Sequence, residues 1–454
     1  MIGRRAAVGG LVAGALAAPR GPALATLLKV QRRPSETFTL ANGLQVVVLP
    51  SRRAPIVTQV LVYKVGSADE TFGQTGIAHF LEHMMFKGTG TLAATEFSRT
   101  VARNGGRDNA FTDFEMTGYH QTIAADRLEL VMRMEADRMV NLRILDHELR
   151  PERQVVLEER RMRVDNVPSE LLDEAAREQL FGRHKPYAMP TSGYVEDVKR
   201  LGVNELSAFY RRFYAPNNAI LIVAGDTTAD SVRKLAAKYY GPIASRKVEP
   251  RRRPSEGGTD LPQRVMRADA RVAEPRWSRD WLAPSYRMGE TRHAYALQVL
   301  ARLFGGSETS RLSRALVTDS KIALSASSGY GASSLGLTSF EIAVHPARGR
   351  SVGEIEAAVG AQMKRVLDGD VGADEIERTQ NQLLASAIYS QDSLASGPRL
   401  YGRVLATGGS IADVDEWPQR IAAVRPDEVV AAARHVWRDE AAVTSLLAPA
   451  DGWQ

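Results

Sequence analysis

Residues 76–90 read GIAHFLEHMMFKGTG, and within them His79-Phe80-Leu81-Glu82-His83 forms the pattern H-x-x-E-H. The apolar spacing over 74–87 predicts a helix. Two histidines four residues apart on a helix share one face, so both imidazoles can converge on one ion. Glu82 lies three residues after His79 and next to His83, beside that ion. The pattern inverts H-E-x-x-H, in which the Glu is the general base of a zinc hydrolase. Such a zinc needs three protein ligands and one open position. The chain has no Cys and only eight His in 454 residues. The third ligand is therefore a His, Asp or Glu, and thiolate zinc sites, iron–sulfur clusters, disulfides and thiol nucleophiles are excluded.

Farther along, 145–164 (LDHELRPERQVVLEERRMRV) is a charged amphipathic helix carrying Glu152, Glu158 and Glu159. Glu152 and Glu159 are seven apart, two turns along one face, which suits one ligand and one supporting carboxylate. Spacing alone does not separate Glu158 from Glu159.

Around this pair of helices the chain reads as two halves. In the first, residues 36–50 predict a hairpin turning at Asn42-Gly43, and 56–65 a strand. Residues 92–104 predict a second helix, 109–124 a Thr- and aromatic-rich strand, 126–142 a helix, and 219–225 a short buried strand ending in Gly. Pro168 marks the start of a further helix. Residues 246–262 (RKVEPRRRPSEGGTDLP) have linker composition, and Arg251-Arg252-Arg253 within them read as solvated. From 263 a similar order returns: strands, a helix ending at Gly305-Gly306, a strand region at 323–344, then long helices. The fold class expected is α+β, with two similar halves, each a mainly antiparallel sheet packed with helices. The divisions are 1–25, 26–245, a linker at 246–262, and 263–454.

Residues 1–25 fit a signal peptide: Arg4 and Arg5, a short apolar run, then Ala23-Leu24-Ala25. The run is too short to span a bilayer, for which ~20 residues are needed. This predicts a periplasmic or secreted protein without a stable membrane span, with a mitochondrial leader as the alternative. Formal net charge is +6. Removing the leader takes away three Arg and no acid, so 59 basic residues become 56 against 53 acidic. That excess is too small to predict nucleic-acid binding.

The segments VGSADETFGQTGIAHFLEHMMFKGT (65–89), NAFTDFEMTGY (109–119), PERQVVLEERRM (151–162) and FYAPNNAILIVAGD (213–226) resemble the pitrilysin/insulinase-like zinc metallopeptidases (M16), most closely the processing-peptidase-like branch. The resemblance covers residues 34–449. It implies a duplicated LuxS/metallohydrolase-like α/β roll, with a metal-bearing first half and a second half that closes a chamber. It implies zinc on His79, His83 and Glu159, the last standing 76 residues after His83. It also implies Glu82 as general base on a zinc-bound water, Glu152 as an assisting catalytic carboxylate, and Asn109, Ala110 and Phe111 on a strand that binds substrate peptide. The activity implied is that of a zinc metalloendopeptidase acting on peptides or unfolded segments. Members that work alone carry an Arg and a Tyr in the second half. Here Leu324 stands where Tyr is common, and SSGYGASSLGLTSFEIAV (327–344) holds no Arg. The resemblance thus implies a metal-bearing subunit paired with another family subunit, as a heterodimer or homodimer. The competing expectation is a non-catalytic structural or binding subunit.

Overall fold

The computed structural model describes residues 35–255, 257, 261–390 and 393–453; the leader reading at 1–25 lies outside them. The first half builds a six-stranded sheet from β1 (Glu36–Thr39), β2 (Gln45–Pro50), β3 (Ile56–Tyr63), β4 (Arg107–Thr112), β5 (Thr117–Ala124) and β6 (Ala219–Gly225). Their order is β1-β2-β6-β3-β5-β4, with β2 and β6 parallel and the other pairs antiparallel. The second half builds β7 (Gln263–Ala268), β8 (Arg276–Ala283), β9 (Ala323–Tyr330), β10 (Thr338–Pro346) and β11 (Ala442–Ala448) in the order β7-β11-β8-β10-β9. Again one pair, β7 and β11, is parallel. Apart from β1, the two orders match strand for strand, which is the architecture of a duplication.

The predicted turn at Asn42-Gly43 joins β1 to β2, with Gly43 at φ +87. The single strand expected at 109–124 is instead a hairpin, β4 and β5. Asp113 makes the turn: its Oδ1 accepts from the backbone N–H of Glu115 (2.8 Å) and Met116 (3.1 Å). Asp commonly turns the chain this way.

Side-chain alternation gives the first sheet two apolar faces, and the second sheet one apolar face and one mixed face that sets Val443, Leu447 and Leu282 beside Arg276, Asp280 and Glu341. In the first sheet Val46, Val48, Val57, Leu61, Leu221 and Val223 face the half's own helices, including Ile77–Met84 and Leu128–Asn141. Val47, Leu49, Val60, Val62, Ile220 and Ile222 face the opposite way, and the helix Ser396–Ala406 of the second half covers them with Tyr401 and Ala406. Gly402 permits the close approach, since a Cβ there would stand 3.0 Å from a Val62 methyl. The reverse also holds. Helix Pro168–Phe181 of the first half lays Ala176 and Leu180 on Val443 of β11, with Val265 and Leu282 beside them. Arg276 of β8 bonds Asp173 of that helix (2.9 Å). The halves have exchanged helices.

The linker is where composition misled. Arg252 is exposed, as the composition suggests, but the side chains of Arg251 and Arg253 are withdrawn from solvent, because carboxylates distant in sequence converge on them. Arg253 bonds Asp69 (2.8 Å) and Glu115 (2.9 Å), and both members of the Arg253–Glu115 pair are only 2% exposed. Glu115 also accepts from the Tyr187 hydroxyl, Ser334 Oγ (3.1 Å) and the Leu335 N–H (2.8 Å). Arg251 donates to the Glu115 carbonyl (2.7 Å) and to that of Ala406, at the C-terminal end of the exchanged helix. First half, linker and second half thus meet in one buried polar knot. Burial opposes the Glu115 charge, but Arg253, Tyr187, Leu335 and Arg251 outweigh it and hold its pKa below the usual carboxylate value.

Removing one partner of a buried ion pair strands the other charge, at a cost of about 3–5 kcal/mol. Arg253→Ala should therefore lower the urea unfolding midpoint strongly. Because the folded-state pKa of Glu115 is depressed, its contribution is complete above its unfolded value of about 4.3 and fades as pH falls through the folded one. The gap between wild type and Glu115→Gln should accordingly shrink in acid; a gap independent of pH between 7 and 3 would contradict this.

Candidate metal centre and active site

Helix Ile77–Met84 begins at a tight junction. Gly76 adopts φ +84, and a Cβ there would meet the Ser192 carbonyl at 2.8 Å. Glu70 caps the helix start, accepting from the N–H groups of Gly76 (2.7 Å) and Ala78 (2.9 Å). A carboxylate at a helix N-terminus satisfies otherwise orphaned N–H groups. Ile77, Ala78, Phe80, Leu81 and Met84 are buried in the core, which fixes the roll of the helix and leaves His79, Glu82 and His83 on its partly open side.

The imidazoles of His79 and His83 stand 4.8 Å apart at 81°. Helix Asp146–Arg160 packs against this helix and brings Glu159 to them. One Glu159 oxygen lies 3.8 Å from His79 Nε2 and 3.2 Å from His83 Nε2. Each of the three residues offers a ligand atom within 4.8 Å of the other two, and among the described residues this is the one such group able to hold a metal ion. Glu158, the other possibility left by spacing, is 63% exposed and pairs with Arg161 instead. Glu152 takes a different part: its Oε1 bonds His83 Nδ1 at 2.8 Å, and its other oxygen bonds Lys87. Such a carboxylate fixes the ring so that Nε2 is presented to an ion. Glu82 receives a 2.5 Å hydrogen bond from Thr112 Oγ1 of β4. Arg163 bonds the other oxygen of Glu159 at 2.5 Å.

The charges are strongly coupled. Burial and the neighbouring His83 push His79 down to about 4. Burial opposes charge on His83 as well, yet its bonds to Glu152 and Glu159 raise it to about 9. The hydrogen bond from His83 outweighs burial and draws Glu159 down to about 2. Burial raises Glu82, with Thr112 acting against it. Two imidazole nitrogens and a carboxylate oxygen, one ring held by a further carboxylate and no thiolate nearby, are the donor chemistry of a hydrolytic zinc.

β4 is the outer strand of its sheet, and among the described residues no strand pairs with its far edge. Asn109 folds back along it, and its Oδ1 accepts from the Ala110 N–H at 2.9 Å. An incoming strand would compete for that N–H. His79, Glu82, His83, Asn109, Ala110, Phe111, Glu152 and Glu159 all line one cavity of about 520 Å³. All eight residues singled out from sequence therefore come together. Glu70, Lys87, Thr112 and Arg163 were not singled out. Thr112 was legible as the residue next to Asn109-Ala110-Phe111, whereas Glu70 acts through backbone caps that no spacing rule exposes.

With this geometry in view, comparison with known proteins is decisive. The model of insulinase-type peptidases (family M16) matches residues 46–192, and the model of the M16 peptidase inactive domain matches 200–383. The chain belongs to the M16 peptidase family. It is 29% identical over 420 residues to the zinc protease PqqE of Helicobacter pylori, covering 91% of this chain and 93% of that one. It is 26% identical over 418 residues to an uncharacterised zinc protease, YmxG, of Bacillus subtilis, covering 91% and 98%. Among solved structures, a protease from Helicobacter pylori superposes with a TM-score of 0.86 at 26% identity, over 92% of this chain and all of that one. The periplasmic protease PqqL of Escherichia coli shares the fold at a TM-score of 0.78 and 20% identity, over 92% of this chain and 48% of its own. The metal-ligand cluster lies in the half matched by the peptidase model, not in the half matched by the inactive-domain model.

Replacing Glu152 by Gln keeps its shape but weakens its hold on His83. Loss of such a partner typically costs about 10–100-fold in metal affinity. Chelator competition on the purified chain should show a loss of that size for Glu152→Gln; an unchanged zinc affinity would remove Glu152 from the site.

Proposed function

We propose that this protein is a zinc-dependent endopeptidase that cleaves peptides or unfolded segments added as an extra strand to β4. The observation that carries this reading is the placing of His79, His83 and Glu159 around one point, with Glu82 alongside and an open strand edge at the same cavity. Strand addition draws affinity from backbone hydrogen bonds and makes little demand on sequence. Zinc held by the three ligands would supply Lewis acidity, polarising the scissile carbonyl and making water acidic near neutral pH. Glu82 takes the proton from the attacking water and returns it to the leaving amine. Thr112 holds one Glu82 oxygen and leaves the other free for that transfer. Glu152 keeps His83 oriented through Nδ1. Asn109, Ala110 and Phe111 receive the peptide.

The zinc protease names of the relatives support the metal and the reaction class. Two observations support a paired subunit. Leu324 stands where Tyr is common and 327–344 hold no Arg, and the same fold fills 48% of the PqqL chain, so that protein has room for a second unit. Among the described residues no helix is long and apolar enough to cross a membrane. Together with the leader composition, this supports a periplasmic setting.

The test is Glu82→Gln in the mature chain, assayed with quenched peptides alone and with a candidate partner subunit. Bound zinc should persist while turnover falls by about 10²–10⁴-fold, the usual share of a general base. Turnover within a few fold of wild type would overturn the assignment.

A further inference from the structure

The second half contains a cavity of its own, about 520 Å³ in volume. Helices Ala294–Gly305 and Ala373–Ser390 hold in this half the places that Ile77–Met84 and Asp146–Arg160 hold in the first. Where the first half's helices supply His79, Glu82 and Glu159, these supply Tyr295, Gln298 and Ala387. The walls are aromatic: Tyr286, Tyr295, Tyr330 and Trp417.

Their polar atoms are already committed. Tyr330 donates to the Pro284 carbonyl (2.5 Å), Trp417 Nε1 to Gln298 Oε1 (2.9 Å), and Gln298 Nε2 to the Tyr286 hydroxyl. Arg420 donates to the Tyr295 hydroxyl (2.5 Å) and to Asp413 (3.0 Å), and Arg287 also pairs with Asp413 (2.8 Å). Arg420 pairs with Glu416 as well (2.8 Å), so two carboxylates balance the two arginines. Beside the hydroxyls of Thr291, Ser333, Ser390 and Thr407, the lining offers mainly rings and aliphatic surface. A charged guest would lose hydration without gaining a partner, whereas a neutral aromatic group gains stacking and edge contacts.

The cavity adjoins the zinc site. Helix Ser396–Ala406 separates them: Arg399 rests over the Phe111 ring of the zinc cavity (5.3 Å), and the next residue, Leu400, lines the aromatic cavity with Val404. Leu400 is a leucine left 50% exposed at this wall. A helix with its side chains is about 10 Å thick. An extended peptide advances ~3.3 Å per residue, so roughly three to five residues carry it from β4 past Arg399 to the cavity.

We infer that this cavity is a distal subsite that captures an aromatic side chain of the same peptide whose backbone lies on β4. This rests on the strand-addition reading above. The second half, which among the described residues gathers no group able to hold a metal ion, becomes the reader of substrate sequence.

The experiment uses the zinc-loaded full chain, alone and with the candidate partner subunit, and quenched peptides that share one cleavage sequence and carry either Phe or Ser at a position stepped along both flanks. At one spacing Phe should lower KM about tenfold with kcat within twofold, and Ala387→Trp, which fills the cavity, should erase that difference. Cleavage of the Ser peptides reports separately on the strand-addition reading, so the two failures are distinguishable. Independently, N-acetylphenylalaninamide should shift tryptophan emission saturably in the Glu82→Gln chain, N-acetylalaninamide should not, and Trp417→Phe should abolish the signal. If Ala387→Trp does not fold, Leu400→Ser should weaken the Phe preference. Equal KM for Phe and Ser at every position, or no saturable emission change, would overturn the proposal.

Discussion

Each sheet of this protein is covered on both faces and has helices of its own for only one. The rest of the structure answers that constraint. Neither half can bury Val47, Val60 and Ile222, or Val443 and Leu282, without a helix from the other. A buried alternating strand needs cover on both sides, and the chain provides it by exchange rather than by adding elements. The knot of Arg251, Arg253, Asp69, Glu115 and Tyr187 then fixes the halves where the linker passes between them.

The exchange also reaches the metal centre. Helix Asp146–Arg160 carries Glu152 and Glu159, widens to a π-helical turn at Arg161–Asp165, and continues into the exchanged helix Pro168–Phe181. Such wide turns are frequent at functional sites. Arg160, next to Glu159, is buried and bonds Glu174 of the exchanged helix (2.9 Å) and the Gly193 carbonyl (2.7 Å). The residue beside Glu159, the proposed third ligand, is therefore tied to an element whose seat is in the other half. A ligand on a rigid, tethered helix keeps its aim better than one on a loop.

The site was more legible in the sequence than the architecture around it. His79, Glu82 and His83 are local: their convergence follows from helix geometry alone. Glu159 was not separable from Glu158 by spacing, and the family resemblance favoured it; what distinguishes them in space is which residue meets His83 across a helix contact. Asn42-Gly43 names its turn, whereas the equally local Asp113 sits inside an aromatic-rich run that reads as one strand where two stand. Arg253 shows the larger difficulty. Its composition is that of a solvated linker, and only carboxylates 184 and 138 residues away make it a core residue. The exchange of helices was not legible either, because an apolar stripe records that a helix face is buried without naming the sheet that buries it.

The exchanged helix has a consequence for how the chain is made. The first sheet is complete once β6 has emerged at Gly225, but the helix that covers its second face ends at Ala406. At ribosomal rates of ~5–20 residues per second, that face waits roughly 10–40 s for its cover. A face of Val, Leu and Ile left bare that long invites association through its apolar surface. A polypeptide with this order of parts is safest when it is completed before it compacts.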